Sequence, residues 1–279
     1  MRALAVLLAL PLAVLAADKP AAEPPINAGP YVPSPQSVVA DMLKLADIGP
    51  QDFVIDLGSG DGRIVLTAAK VFGASGFGVE IKDELVKRSN EAAQKEGVAD
   101  RVKFIKADLF KTDISRATVL TMYLLPNTVN LLKDKLLNEL KPGTKVLSHD
   151  YPLTGWIPEK YVQWDLEDKV RISGVTTTLI YLYMVPAKVQ GSWRASVPAS
   201  LGKGPLTLSL RQQVTRVSGS ARLDGKEVML EDLKIRGEQI TFALPAKKAT
   251  FTGTVKGDAI TGEVAAGGAT APWSAHLVK

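Results

Sequence analysis

The stretch Val54-Ile55-Asp56-Leu57-Gly58-Ser59-Gly60-Asp61-Gly62-Arg63 constrains this chain more than any other. An apolar, β-forming run stops at glycines on alternate positions and an amphipathic segment begins at Arg63, so the stretch reads as strand, tight loop and helix. Glycine serves where backbone turns with positive φ or approaches a ligand closely, and the helix N-terminus that follows offers unpaired N–H groups. Spacing narrows the ligand. A dinucleotide fold uses G-x-G-x-x-G and sets a pyrophosphate on the helix terminus, whereas Gly58, Gly60 and Gly62 give G-x-G-x-G, with Asp56 before them and Asp61 among them. Acids repel phosphate and suit a cationic ligand. An ordinary βα turn is the alternative on this segment alone.

The surrounding pattern decides between them. Ser34 is placed to cap a helix that has Pro35 at its first position and Val38, Val39, Met42 and Leu43 on its apolar face. Strands are expected at Phe53 to Leu57, Gly76 to Glu80, Val102 to Ile105, Ala117 to Tyr123 and Lys145 to Ser148. Helical segments separate them, including one from Asp83 to Gly97 and a Leu-rich one capped by Asn127 and stopped by Lys141-Pro142-Gly143. Such βα alternation implies a parallel sheet with ligands beyond the carboxyl ends of its strands. Asp56, Glu80, Asp108 and Tyr123 all fall at or near such ends. Glu80, about twenty residues past the glycines, stands where a carboxylate accepts both ribose hydroxyls of a nucleoside; capping the following helix is its other possible task. Tyr161 to Asp168 and Thr176 to Met184, with Ser173-Gly174 between, read as an antiparallel pair completing the sheet.

From Gly191 onward the period changes to two. Leu206, Leu208 and Leu210 alternate, as do Ile240, Phe242 and Leu244, and turn signals such as Asp224-Gly225 separate the runs. This predicts a small antiparallel barrel or curled meander over 190–279, with Trp193 and Trp273 as core plugs; a ligand-binding calyx is the alternative.

With 279 residues, of which 46% are hydrophobic, the chain can bury a sizeable core in two domains. The formal charge of +5 comes from interspersed Lys and Arg rather than a basic run, which speaks against a nucleic-acid partner. Without cysteine, and with only His149 and His276, disulfides, thiolate chemistry and a histidine-rich metal site are excluded, and no metal is expected. Met1-Arg2 followed by the apolar run Ala3 to Ala16 reads as a secretory signal peptide over 1–17, shorter than the roughly 20 residues of a spanning helix. The expectation is export, to a bacterial periplasm, with a Pro- and Ala-rich linker over 18–30 and no stable membrane span after cleavage.

The glycine loop, Tyr31-Val32-Pro33-Ser34-Pro35, Asp41-Met42-Leu43, Gly78-Val79-Glu80, Asp108-Leu109-Phe110 and Ala117-Thr118-Val119 through Tyr123-Leu124-Leu125-Pro126 together carry a resemblance. They resemble the class I, seven-strand methyltransferases that use S-adenosyl-L-methionine (SAM). Within that class the set is similar to the protein-lysine methyltransferases of the mitochondrial ATP synthase c-subunit and adenine nucleotide translocator type. The resemblance implies an α/β fold, a mostly parallel Rossmann-like sheet over 31–187, with SAM as cofactor. It implies SAM contacts from Tyr31, Asp56, Gly58, Ser59, Gly60, Gly62, Glu80, Ile81, Asp108 and Leu109, with Tyr123 lining the methyl-transfer channel. Pro126, His149 and Asp150 are the expected substrate contacts. Where amide- and adenine-methylating relatives carry Asn or Asp followed by Pro-Pro and an aromatic residue, this chain has Tyr123-Leu124-Leu125-Pro126, which argues against nucleobase chemistry. The implied reaction is methyl transfer to a nitrogen nucleophile, foremost a protein lysine. A small-molecule N- or O-methyltransferase, and a noncatalytic exported binding protein on an inherited fold, are the alternatives.

Overall fold

A computed structural model describes residues 30–202, 204 and 206–278; apart from Pro30, the expected signal and linker segments lie outside them. Among the described residues two sheets follow one another along the chain.

The first sheet is built from β1 (Phe53–Leu57), β2 (Ser75–Glu80), β3 (Val102–Lys106), β4 (Val119–Met122), β5 (Lys145–His149), β6 (Lys160–Asp165) and β7 (Thr177–Met184), in the order β3-β2-β1-β4-β5-β7-β6. The first five strands run parallel, and β7 runs antiparallel to β5 and β6. Strand order reverses between β1 and β4, the switch point at which such sheets open a crevice for ligands.

Both faces of the central strands are buried because alternate side chains enter different cores. Val54 joins Val38, Val39, Met42 and Leu43 of α1 (Gln36–Leu45) and Ile64 and Ala68 of α2 (Arg63–Phe72). Ile55 and Leu57 join Leu120, Met122, Val129, Leu136 and Tyr183 on the other side. Then α3 (Asp83–Lys95) packs Ala93 with Val65, Ala69 and Phe104.

Three local expectations are corrected. Ser34 does not cap α1, whose cap position is Pro35 with no side-chain bond; its hydroxyl is engaged by His149 instead. Asn127 does not cap the Leu-rich segment, which starts one residue earlier at Pro126 and divides into α4 (Pro126–Leu131) and α5 (Lys133–Glu139). Proline suits a first helical position, which shifts the start. Between β6 and β7 lies α6 (Glu167–Ser173), ended by Gly174 at φ 76°, so the strand expected to reach Asp168 stops at Asp165.

The second sheet comprises β8 (Gly191–Ser196), β9 (Leu206–Gln213), β10 (Arg216–Leu223), β11 (Lys226–Met229), β12 (Glu231–Arg236), β13 (Gln239–Leu244), β14 (Ala249–Lys256), β15 (Ala259–Ala266) and β16 (Ala269–Leu277). Its order is β11-β10-β9-β8-β16-β15-β14-β13-β12, with every pairing antiparallel. The end strands are consecutive in sequence and the Leu230 N–H donates to the Gly219 carbonyl, so the sheet curls into a nearly closed barrel. Side chains fill its interior. Phe242 and Phe251 stack at 4.6 Å and Trp273 meets both edge-on, while Trp193 is fully buried with its indole N–H on the Val189 carbonyl. Packed aromatic rings stand where a calyx would need space.

Specific contacts order the junction between the first sheet and the barrel. The Gln212 amide holds Val189 N–H and the carbonyls of Ala187 and Val214. Val214, in a left-handed conformation at φ 56°, packs against the core around Tyr183.

Candidate active site

Beyond the carboxyl ends of β1, β2 and β4 lies a cavity of about 300 Å³. Tyr31, Asp56, Gly58, Ser59, Gly60, Glu80, Ile81, Asp108, Leu109 and Tyr123 all line it. Gly62 does not: at φ 80° it opens α2, and a Cβ there would meet the Phe104 ring and Ser89. Pro126, His149 and Asp150 also lie outside the lining. Ser34, Arg63, Lys82 and Leu124 line the cavity without having been expected to. Each adjoins an expected residue or motif, which was the one signal the sequence offered for them.

The loop turns through Gly58 (φ 77°) and Gly60 (φ 54°), and the N–H groups of Gly58 and Ser59 both donate to the Val79 carbonyl at 2.9 Å. The Tyr31 ring lies so close over Gly60 that a Cβ there would sit 2.5 Å from it. The Tyr31 hydroxyl adjoins Asp61, and Asp61 receives Arg63 Nε at 2.8 Å and Nη2 at 2.6 Å. Burial acts to raise the Asp61 pKa, but the Arg63 charge and hydrogen bonds outweigh it and hold the carboxyl low. Asp61 is therefore neutralised within the loop, and the acids left in the lining are Asp56, Glu80 and Asp108.

Asp56 is buried, with Oδ1 accepting from the Thr121 hydroxyl at 2.6 Å. Burial pushes its pKa up to about 7, with the charges of Glu80 and Asp61 adding to the rise and the Thr121 bond opposing it. Glu80 lines the cavity at the end of β2 and does not cap α3, whose cap position, Lys82, carries no side-chain bond. Its Oε1 accepts from the N–H groups of Ile81 and Lys82 ahead of α3, while Oε2 accepts from Gly60 N–H at 3.0 Å. Asp108 Oδ1 accepts from Phe110 N–H at 2.8 Å. The Ser59 hydroxyl is buried, borders the cavity and has no hydrogen-bond partner. An orphaned hydroxyl beside a desolvated carboxylate fits a polar, cationic nucleoside ligand.

At the β4 and β5 ends a second group assembles. The Tyr123 and His149 rings stack at 3.9 Å, and the Tyr123 hydroxyl donates to Asp150 Oδ2 at 2.8 Å. Burial, then the Asp150 charge, raises the Tyr123 pKa well above the usual phenol range, so the hydroxyl stays protonated at neutral pH. His149 is fully buried, with Nδ1 2.8 Å from Ser34 Oγ; its Nε2 has no hydrogen-bond partner and lies 3.6 Å from Asp150 Oδ1. Burial lowers its pKa to about 4 against the pull of Asp150, so the ring is neutral at physiological pH. Asp150, at φ 63°, also accepts from the Lys169 ammonium on both oxygens and from Leu179 N–H.

A seven-strand sheet with a glycine loop, two acids at strand ends and an aromatic wall at β4 defines a SAM-dependent methyltransferase. The ANTKMT methyltransferase domain family matches residues 56–160. A protein-lysine N-methyltransferase of Saccharolobus islandicus is 45% identical over 157 residues, which are 56% of this chain and 93% of that protein. The ATP synthase c-subunit lysine N-methyltransferase of Xenopus laevis is 35% identical, with 47% of this chain spanning 57% of that one. An RNA methyltransferase from Salinibacter ruber, solved with S-adenosyl-L-homocysteine, is 45% identical with a TM-score of 0.51, covering 57% of this chain and 96% of that one. The chain belongs to the ANTKMT-type protein-lysine methyltransferase family. Its cofactor is SAM.

Proposed function

We propose that this protein methylates the side-chain amine of a lysine in a polypeptide, and that the cavity residues named above hold SAM. When bound, SAM supplies an electrophilic methyl group on a sulfonium for in-line displacement by a neutral nitrogen. In this reading Asp56 receives the ligand's ammonium, Glu80 the ribose hydroxyls, Ser59 a further polar group, and Asp108 with Leu109 the base. Tyr31 covers the loop and, with Ser34 and Arg63, closes it from water. Alignment and desolvation supply most of the catalysis in such a transfer, and no strong general base is required.

The observation that carries the reading is the Tyr123 ring in the cavity wall with its hydroxyl fixed on Asp150. A protonated phenol suits an acceptor that arrives as an amine; it offers no pair of amide-type contacts for a base edge. The lysine-directed relatives support the same conclusion, although the Salinibacter protein is described as acting on RNA. His149 and Asp150, outside the lining and engaged with other side chains, act through Tyr123 rather than on the acceptor.

Export to an envelope compartment is part of the proposal and rests on the pattern of residues 1–17. The test is to incubate purified protein with methyl-labelled SAM and fractionated extract of the source cells, then hydrolyse the products. Label in methyllysine is expected; label confined to nucleosides or small molecules would overturn the substrate class. Fractionation of the native protein, with sequencing of its N-terminus, tests the location.

A further inference from the structure

We infer that Lys169 is a positioning residue for methyl transfer: by holding the Asp150 carboxylate it fixes the direction of the Tyr123 hydroxyl hydrogen, so that the phenol oxygen meets the incoming amine as an acceptor. The inference rests on the reading that Tyr123 lines the acceptor channel.

Lys169 is an unusual residue to find enclosed. It comes from the short α6, is 1% exposed, and reaches Asp150 Oδ1 at 2.6 Å, Asp150 Oδ2 at 2.7 Å and the Thr177 carbonyl at 2.5 Å. A buried ammonium is costly unless a carboxylate and further acceptors meet it, and here both do. Asp150 in turn sits in a left-handed backbone conformation at φ 63°, which directs one residue to Tyr123, Lys169 and Leu179 N–H together.

The polarity follows from donor and acceptor inventories. An ionised carboxylate is acceptor-only, so the Tyr123 hydroxyl must donate to it, leaving only oxygen lone pairs for the channel. A neutral amine has N–H donors and one lone pair; donating N–H to the phenol oxygen leaves that lone pair free to face the electrophile. If Asp150 were protonated, its own O–H could donate to Tyr123, and the phenol could then turn its hydrogen toward the amine lone pair and block it. What keeps Asp150 ionised therefore keeps the acceptor oriented. The groups facing Asp150 are Tyr123 after β4, His149 of β5, Lys169 of α6, and Tyr181 of β7. Of these Lys169 is the cation in hydrogen-bond contact. Burial acts to raise the Asp150 pKa, and its neighbours outweigh burial and hold it below the usual range.

The test compares Lys169→Met with Lys169→Arg, using the polypeptide that the wild-type protein labels. Lys169→Met should lower kcat/KM about tenfold near neutral pH, the worth of one oriented hydrogen bond. Its ratio to wild type should fall further as pH drops from about 8 to about 6, because an unpaired buried carboxyl titrates in that range. Lys169→Arg should restore a flat ratio. A ratio independent of pH in Lys169→Met would reduce Lys169 to a structural residue and overturn the inference. Tyr123→Phe keeps the ring on His149 and should reproduce the loss whether or not the Met variant folds; full activity without the hydroxyl would also overturn it. Independently of turnover, NMR titration of the Asp150 side-chain carboxyl should give a pKa below the ordinary aspartate range in the wild-type protein. An ordinary or raised value refutes the arrangement. Absence of methyllysine with an intact Asp150 titration would instead refute the substrate reading.

Discussion

Ser34 and His149, separated by 115 positions in sequence, share a hydrogen bond of 2.8 Å that ties the segment covering the cofactor cavity to the carboxyl end of β5. Each serves the other's burial: the ring satisfies a hydroxyl freed from helix capping, and the hydroxyl satisfies one nitrogen of a fully enclosed imidazole. Because the same ring stacks on Tyr123, the cover and the aromatic wall share one support.

That burial gives stability an acid-side slope. The His149 pKa is lowered to about 4 in the folded chain, against about 6.5 when unfolded. Between those values the unfolded state binds a proton that the folded state does not. Stability contributed by neutral His149 is thus present above about pH 6.5 and lost as pH falls toward about 4, by at most about 1.4 kcal/mol per pH unit. His149→Gln removes this titration, and urea unfolding across that window should show a flatter dependence than wild type. An unchanged slope would mean that the ring titrates in the fold as it does in the unfolded chain.

At Gly60, φ is 54° and the Tyr31 ring occupies the place of a side chain. Gly60→Ala should cost about 1–2 kcal/mol from left-handed backbone alone and push Tyr31 aside. The ring belongs to the cover rather than to a core, so the fold should survive. Calorimetry should show SAM binding at least about tenfold weaker, since 1.4 kcal/mol is a factor of ten; affinity equal to wild type would mean Tyr31 does not close the site.

Much of this site is legible in the sequence because strands and loops announce themselves locally. The apolar run into Gly58, the acid ending β2 and the switch to period two after Gly191 each depend on neighbours a few residues away. What was not legible depends on partners far along the chain. Asp61 reads as a ligand acid, yet Arg63 neutralises it; Ser34 reads as a cap, yet His149 takes its hydroxyl. Lys169 falls between two expected strands, and nothing local shows that α6 turns it inward onto Asp150. The Leu-rich segment after Pro126 likewise carries an unbroken apolar pattern, although it divides at Leu132.

The barrel core is separate from the cores around the cavity, so the two should fail separately. Trp273 packs edge-on against Phe242 and Phe251 and donates its indole N–H to the Thr252 carbonyl at 2.8 Å. Trp273→Ala should destabilise the barrel by about 3–5 kcal/mol, the usual cost of removing a buried Trp. SAM affinity at 25 °C should stay within about twofold of wild type, well under one factor of ten. Loss of SAM binding in parallel with barrel unfolding would show instead that the contacts through Gln212 and Val214 hold the cavity together.

Asp56 makes cofactor binding a proton-linked event. Without ligand its carboxyl titrates at about 7, raised chiefly by burial, against an unfolded value near 3.9. The folded chain therefore holds a proton that the unfolded chain has lost, and the associated stability declines as pH rises from about 4 through about 7. A ligand ammonium favours the ionised carboxylate, so binding below about pH 7 must expel that proton. SAM affinity should rise by up to about tenfold per pH unit on the acid side and level off above about 7; an α-amine itself loses charge near 7.7–8.0, which closes the window from above. Calorimetry at about pH 6 in buffers of different ionisation enthalpy should give apparent binding enthalpies that differ as expected for release of close to one proton. Asp56→Asn should bind SAM more weakly at about pH 7.5 and show no buffer dependence at about pH 6 from this group. Equal proton release from wild type and Asp56→Asn would place the titrating group elsewhere, and the ligand ammonium with it.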